Sequence, residues 1–388
     1  MGRKLVTLRR VSAIRPIPGA DRIVAASVDG WTCVVGADEF RPGDVGVYFE
    51  IDSFLPAADA RWERFAPNFS EHDGARGFRV RTLKLRGQIS QGLLLPVARF
   101  AEVEAVLAGL EREAAAAAGV APDDPAAKTA ALDKAMALAF EDALGVVKYD
   151  PPTAGADAGR LGPFPAFIAK TDQERVQNLG AAVFADHAAT VFQETTKLDG
   201  SSMTAYFVRA DSPHFAALPA LPAGDAGDTA SAEGRFGVCS RNIDLAEAGG
   251  GHFWAAAHAN GLPAKLAALG RNLAVQGELV GEGVQGNADG FPRGFRDLFV
   301  FGAQDLDAQA PLPPREVEAL ARQLGLRHVP VVGYAPLRDV ARDVAGMLER
   351  AEGKGINGRK REGVVLKAED GKFSFKAISN SYLLKRGG

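Results

Sequence analysis

Over the first hundred positions, short β-branched runs alternate with turn-forming residues. The runs are Leu5–Leu8, Arg22–Val28, Trp31–Val35, Val45–Glu50, Phe78–Thr82 and Gly92–Pro96. Pro16 to Asp21, Asp29-Gly30 and Pro42-Gly43-Asp44 separate them with turn chemistry. Strands this short at this spacing predict a small β-barrel, with the oligonucleotide-binding (OB) fold as the first expectation.

The pattern changes at residue 101. Glu102–Ala118 and Ala126–Leu144 are alanine-rich helix formers, interrupted at Gly119 and at Pro122-Asp123-Asp124-Pro125. They predict a helical insertion or spacer, and Asp150–Gly155 reads as a linker. Beyond it, strand-like runs recur at Thr190–Lys197, Ser202–Arg209, Leu273–Val280, Leu298–Ala303, Gly363–Lys367 and Lys372–Ile378. Helical periodicity covers Asp172–Leu179, Phe253–Leu269, Pro314–Leu324 and Leu337–Ala351, and Ala217–Glu233 reads as a surface loop. The expected organisation is an OB-like barrel over 1–100, a helical insertion with linker over 101–155, and an α+β domain of antiparallel sheets and helices over 156–388.

Composition narrows the class. The 388 residues are 47% hydrophobic and 24% charged, as in globular proteins with two or three cores. No apolar run approaches the ~20 residues that span a bilayer. The basic start Met1–Val6 lacks the apolar stretch of a secretory signal. Cys33 and Cys239 lie far apart and fit neither a zinc spacing nor a disulfide framework, so a reducing, cytoplasmic setting is expected. Nor do the six histidines show metal-ligand spacing beyond His252 and His258, which are six apart. A net charge of −3 neither favours nor excludes a nucleic-acid partner. Local basic clusters matter more, namely Arg76, Arg79, Arg81, Lys84 and Arg86, then Arg359, Lys360, Arg361, Lys367, Lys372, Lys376, Lys385 and Arg386.

The candidate chemistry centres on Glu194-Thr195-Thr196-Lys197-Leu198-Asp199-Gly200-Ser201-Ser202. Strand alternation puts Lys197 and Asp199 on one face, and Gly200 permits a tight turn beside a ligand. A lysine is nucleophilic only when neutral, and burial or a nearby cation favours that form. By itself the pattern fits an edge ion pair equally well. Gly277-Glu278-Leu279-Val280-Gly281 adds a carboxylate on an apolar strand, which a ribose hydroxyl or a hydrated metal would satisfy. Phe299-Val300-Phe301 puts two aromatics on one strand face, either in a core or beneath a purine. Arg361-Glu362-Gly363 offers another carboxylate, and Phe375-Lys376 a lysine suited to a phosphate.

In this order, Lys197-Leu198-Asp199-Gly200, Ser240-Arg241-Asn242, Gly277–Gly281, Phe299–Phe301, Arg361–Val365 and Phe375-Lys376 resemble the motifs of the covalent nucleotidyltransferases. Those enzymes are the ATP-dependent RNA and DNA ligases and the mRNA-capping guanylyltransferases. The segment Pro165–Asn178 resembles what precedes the nucleophile in RNA ligases. Arg15–Ile23 and Lys84–Gly92 resemble the N-terminal module of the RNA ligase clade of Deinococcus and Naegleria. The leading barrel, with about a dozen residues after Lys376, fits that clade better than a DNA ligase, which carries its OB domain after the catalytic domain.

The resemblance implies an ATP-dependent RNA ligase that seals 5′-phosphate and 3′-hydroxyl ends through lysyl-AMP on Lys197. It implies ATP as the AMP donor, Mg²⁺ or Mn²⁺, and a nucleic-acid partner. A monomer without membrane attachment is expected. Thr196, Asp199, Gly200, Ser202, Arg241, Glu278, Phe301, Glu362 and Lys376 would bind the nucleotide, with Asp199, Glu278 and Glu362 at the metal. Phe299 or Phe301 would stack on adenine, with Phe301 chosen. A lysine common two residues after Lys376 is here Ile378, so Lys367 or Lys372 would replace it. Arg175 either reaches the phosphates or braces the fold. DNA ligase, guanylyltransferase and non-catalytic RNA binding are the alternatives.

Overall fold

Strand Val6–Pro16 is long enough to serve two partners. Its first half pairs with Val45–Phe49 and its second with Ile23–Val28, with a register shift between Val11 and Ala13. Trp31–Gly36 follows across a turn in which Asp29 adopts φ +49°, and Leu93–Pro96 completes the order 93–96, 45–49, 6–16, 23–28, 31–36. The sheet then curls back on itself. The Val34 amide donates to Ser90 Oγ at 2.9 Å, and the Cys33 thiol to the Gln91 carbonyl. The structure is a computed structural model describing residues 3–150, 159–221 and 230–386. Packing divides the chain into two units: Met1–Pro152 with Gln177–Ala181 and Leu383–Gly388, and Thr153–Val176 with Ala182–Tyr382.

In the first unit the interior holds Leu8, Val47, Phe49, Leu55, Trp62 and Phe100, with Phe49 meeting Trp62 edge-on at 5.2 Å. The alanine-rich segment is part of this unit. Helix Ala101–Ala118 ends on Gly119 at φ +66°, and Asp124 caps Pro125–Met136 by accepting from the Ala126 amide. The helices touch through Ala114, Ala115 and Ala127, where small side chains permit close approach. Val103, Ala135, Phe140, Leu144 and Val146 enter the barrel's core. The expected spacer is thus packed on the barrel through Val103, Ala135, Phe140, Leu144 and Val146, while Val120, Leu138 and Val147 stay exposed. The second helix also stops at Met136, short of the expected Leu144.

The second unit holds two sheets. The larger runs in the order 160–163, 243–245, 234–239, 201–209, 273–281, 296–305, 310–311. The smaller runs in the order 174–175, 374–378, 363–368, 191–197, 331–336. Three expected helices are corrected. Asp172–Leu179 begins as strand Glu174–Arg175, parallel to 374–378, and is helical only over Val176–Leu179. Phe253–Leu269 breaks at Gly261, φ +63°, into Gly251–Ala259 and Leu262–Ala268. Leu337–Ala351 breaks at Ala341 before Asp343 caps Val344–Ala351. The expected linker after Asp150 and residues 222–229 of the expected loop at 217–233 lie outside the described residues.

Candidate active site

Register decides which side chains share a face. Lys197 lies opposite Gly363, Thr195 opposite Val365, and Gln193 opposite Lys367. Val365 in turn lies opposite Lys376, and Lys376 beside Arg175. Directly paired residues project to the same side. Lys197, Lys367, Lys376 and buried Arg175 therefore occupy one face of the smaller sheet. Thr196 projects to the other face and is 7% exposed, so only its backbone is available on the Lys197 side.

Lys197 ends its strand. Its Nζ donates to Glu362 Oε2 at 2.9 Å, with the lysine side chain 24% and the glutamate 15% exposed. Two close approaches require glycine around it. A Cβ on Gly200 would stand 2.2 Å from the Leu279 carbonyl oxygen, and one on Gly363 would stand 2.1 Å from that of Ala377. The turn after Lys197 is held by carboxylates. Glu278 Oε1 accepts from the Gly200 amide at 3.1 Å, and Asp289 Oδ2 from the Asp199 amide at 2.9 Å. Ser202 lies opposite Glu278 on the neighbouring strand.

The electrostatics follow from this crowding. Burial works to lower the Lys197 pKa, but Glu362, Glu278 and Asp199 outweigh it and hold the amine above the ordinary lysine value. Burial pushes the Glu278 carboxyl up to about 7, against the pull of Lys197 and with Glu362 and Asp199 adding to the rise. The resting site is therefore an ammonium held by carboxylates. Asp199, Glu278 and Glu362 supply the hard oxygen donors that suit a divalent cation. Among the described residues, however, no three His, Cys, Asp or Glu converge as a ready metal cage.

A bulge gives the two aromatics different surroundings. Gln276 lies opposite Gly302 and Gly277 opposite Val300, so Phe301 is the extra residue on its strand. Phe299 is 4% exposed and packs with Leu198, Val280, Phe291 and Val329. Phe301 is half-buried. Lys367 Nζ donates to the Phe301 carbonyl and stands 5.1 Å from its ring, with burial pulling the amine down to about 8. Lys367 thus meets the aromatic strand, and Lys372 lies exposed on the turn before 374–378. Arg241, on the turn between 234–239 and 243–245, is exposed and paired with Asp172 at 2.6 Å rather than with the Lys197 cluster. Sequence reasoning missed Asp289. Its only signal is an Asn-Ala-Asp-Gly stretch, which reads as an ordinary turn.

Comparisons with known proteins identify the family and the fold. A family model for an OB-fold domain matches residues 5–97, and one for RNA ligase matches 190–378. Solved structures of Naegleria gruberi RNA ligase align along the whole chain. A mutant apo form is 38% identical with a TM-score of 0.79, covering 99% of this chain and 98% of that one. The form with pyrophosphate is 38% identical with a TM-score of 0.78, covering 98% of each chain. A mutant with ATP and manganese is 38% identical with a TM-score of 0.77, again covering 98% of each. No curated protein sequence matches.

Proposed function

Since the chain belongs to the RNA ligase family, and is on that basis an ATP-dependent RNA ligase, we propose that Lys197 carries AMP between ATP and the RNA end. The observation that supports this most is the Lys197 amine at a strand end, bonded to Glu362 and flanked by Glu278 and Asp199. In the first transfer the amine loses a proton and forms an N–P bond to the α-phosphorus of ATP, while the α–β P–O bond breaks and pyrophosphate leaves. Glu362, already at hydrogen-bond distance, is positioned to take that proton. In the second transfer a 5′-phosphate oxygen displaces Lys197 from phosphorus. In the third, a 3′-hydroxyl displaces AMP and closes the phosphodiester. Positioning and charge neutralisation supply most of the acceleration in such transfers.

A divalent ion held at Asp199, Glu278 and Glu362 would supply positive charge that favours the neutral amine and offsets phosphate charge. Lys376, on the Lys197 face, holds the α-phosphate, and Arg175 beside it reaches the phosphates. Phe301 stacks on adenine, and Gly200, Ser202 and the Thr196 backbone border the nucleotide. Arg241 would leave Asp172 to meet ribose or phosphate. The substrate is a nicked or broken RNA end. We place the enzyme in the cytoplasm as a monomer, a reading supported by two buried free cysteines; no helix among the described residues is long and apolar enough to cross a membrane. Sealing of nicked duplexes that differ only in the sugar flanking the nick tests the substrate. Ribose at the 3′-hydroxyl end should be required, and equal sealing of all-DNA nicks would contradict the assignment.

A further inference from the structure

Asp289 is a carboxylate in the loop joining strands 273–281 and 296–305, only 3% exposed, and none of the motifs above includes it. The loop is built to present it. Gln285, Gly286, Asn287 and Gly290 all take positive φ, so the chain reverses tightly on both sides of Asp289. The Asn287 side chain accepts from the Phe291 amide at 2.9 Å and donates to the Phe291 carbonyl at 2.8 Å. Phe291 stacks on Phe295 at 4.8 Å and belongs to the cluster with Leu198, Val280 and Phe299. The loop is thereby packed against the residue that follows Lys197.

From this frame Asp289 Oδ2 reaches the Asp199 amide at 2.9 Å, next to the Gly200 amide that Glu278 holds. Two consecutive amides are thus fixed by carboxylates from two different segments. An amide that hydrogen-bonds a carboxylate is held more firmly than one that meets a neutral acceptor. The turn it fixes sets the direction of both Lys197 and Asp199. We infer that Asp289 is a positioning residue for the nucleophile, holding the Lys197–Gly200 turn so that the amine can reach the α-phosphate in line. The inference rests on the reading of Lys197 as the AMP carrier. It adds a residue that acts through the backbone and does not touch the nucleotide.

The test compares wild type, Asp289→Ala and Asp289→Asn in rapid-quench labelling with α-labelled ATP and Mn²⁺, beside sealing of a pre-adenylylated nicked RNA. Asparagine keeps an oxygen acceptor for the Asp199 amide, and alanine does not. Asp289→Ala should label at least about tenfold more slowly at saturating ATP, with an ATP KM within about twofold of wild type. Asp289→Asn should recover most of the rate. Sealing of the pre-adenylylated nick, which bypasses the lysine, should fall less than about threefold in both. Unlabelled wild type would overturn the lysine reading itself. Labelled wild type with an unimpaired Asp289→Ala, or a folded Asp289→Asn as slow as the alanine variant, would overturn the positioning role alone. If Asp289→Ala does not fold, the asparagine variant still decides through its labelling rate.

Discussion

Burial and crowding of like charges at Glu278 have a consequence for pH. Its folded pKa of about 7 lies above the ordinary 4.5, so the folded chain holds a proton that the unfolded chain has released. The contribution to stability is complete below 4.5 and is lost as pH rises through about 7. At most about 3 kcal/mol is at stake, less whatever the coupling to Lys197 returns. Glu278→Gln should flatten the fall in unfolding free energy between acid and neutral pH in urea titrations. An unchanged slope would show that Glu278 does not titrate in this way. Lys367 yields a second expectation, since its amine ties the Phe301 carbonyl of the bulged strand to the smaller sheet. Lys367→Met should raise the ATP KM severalfold while leaving kcat of a pre-adenylylated nick near normal. An unchanged KM would separate Lys367 from the base-binding strand.

Secondary structure explains what was legible in the sequence and what was not. The strands Val191–Lys197, Leu273–Gly281, Arg296–Asp305, Gly363–Ala368 and Ser374–Ile378 were readable because each carries apolar, β-branched or aromatic residues in a short run. Their bounds shift by only a few residues, as in Val191–Lys197 and Leu273–Gly281. Asp172–Leu179 misled because Glu174-Arg175 finds a parallel partner distant in sequence, which local periodicity cannot register. What separates Phe301 from Phe299 is a bulge, and a bulge leaves no mark in composition. Asp289 was invisible for a related reason, since its partner is a backbone amide ninety residues away. The alanine-rich segment looked like a spacer because its average is bland, yet Val103 and Ala135 from its helices, and Phe140 and Leu144 beyond them, line the barrel core. Phe140→Ala should therefore lower the barrel's unfolding free energy by about 3–5 kcal/mol. A loss under about 1 kcal/mol in chemical denaturation would mark the segment as the spacer it first resembled.

For the whole molecule, the sequence showed a leading barrel and a following α+β unit, and both are present with family matches at 5–97 and 190–378. All the residues proposed for lysine chemistry lie in the second unit. A chain lacking the barrel should then still form the AMP adduct, provided the remainder folds, while losing affinity for nicked RNA. The central claim is that Lys197 is the site of that adduct. Its most direct measurement is peptide mapping by mass spectrometry after incubation with ATP and Mn²⁺ without RNA. AMP should be found on the peptide containing Lys197, be released when pyrophosphate is added, and be absent from Lys197→Ala. An adduct on any other residue, or one that persists in Lys197→Ala, would contradict it.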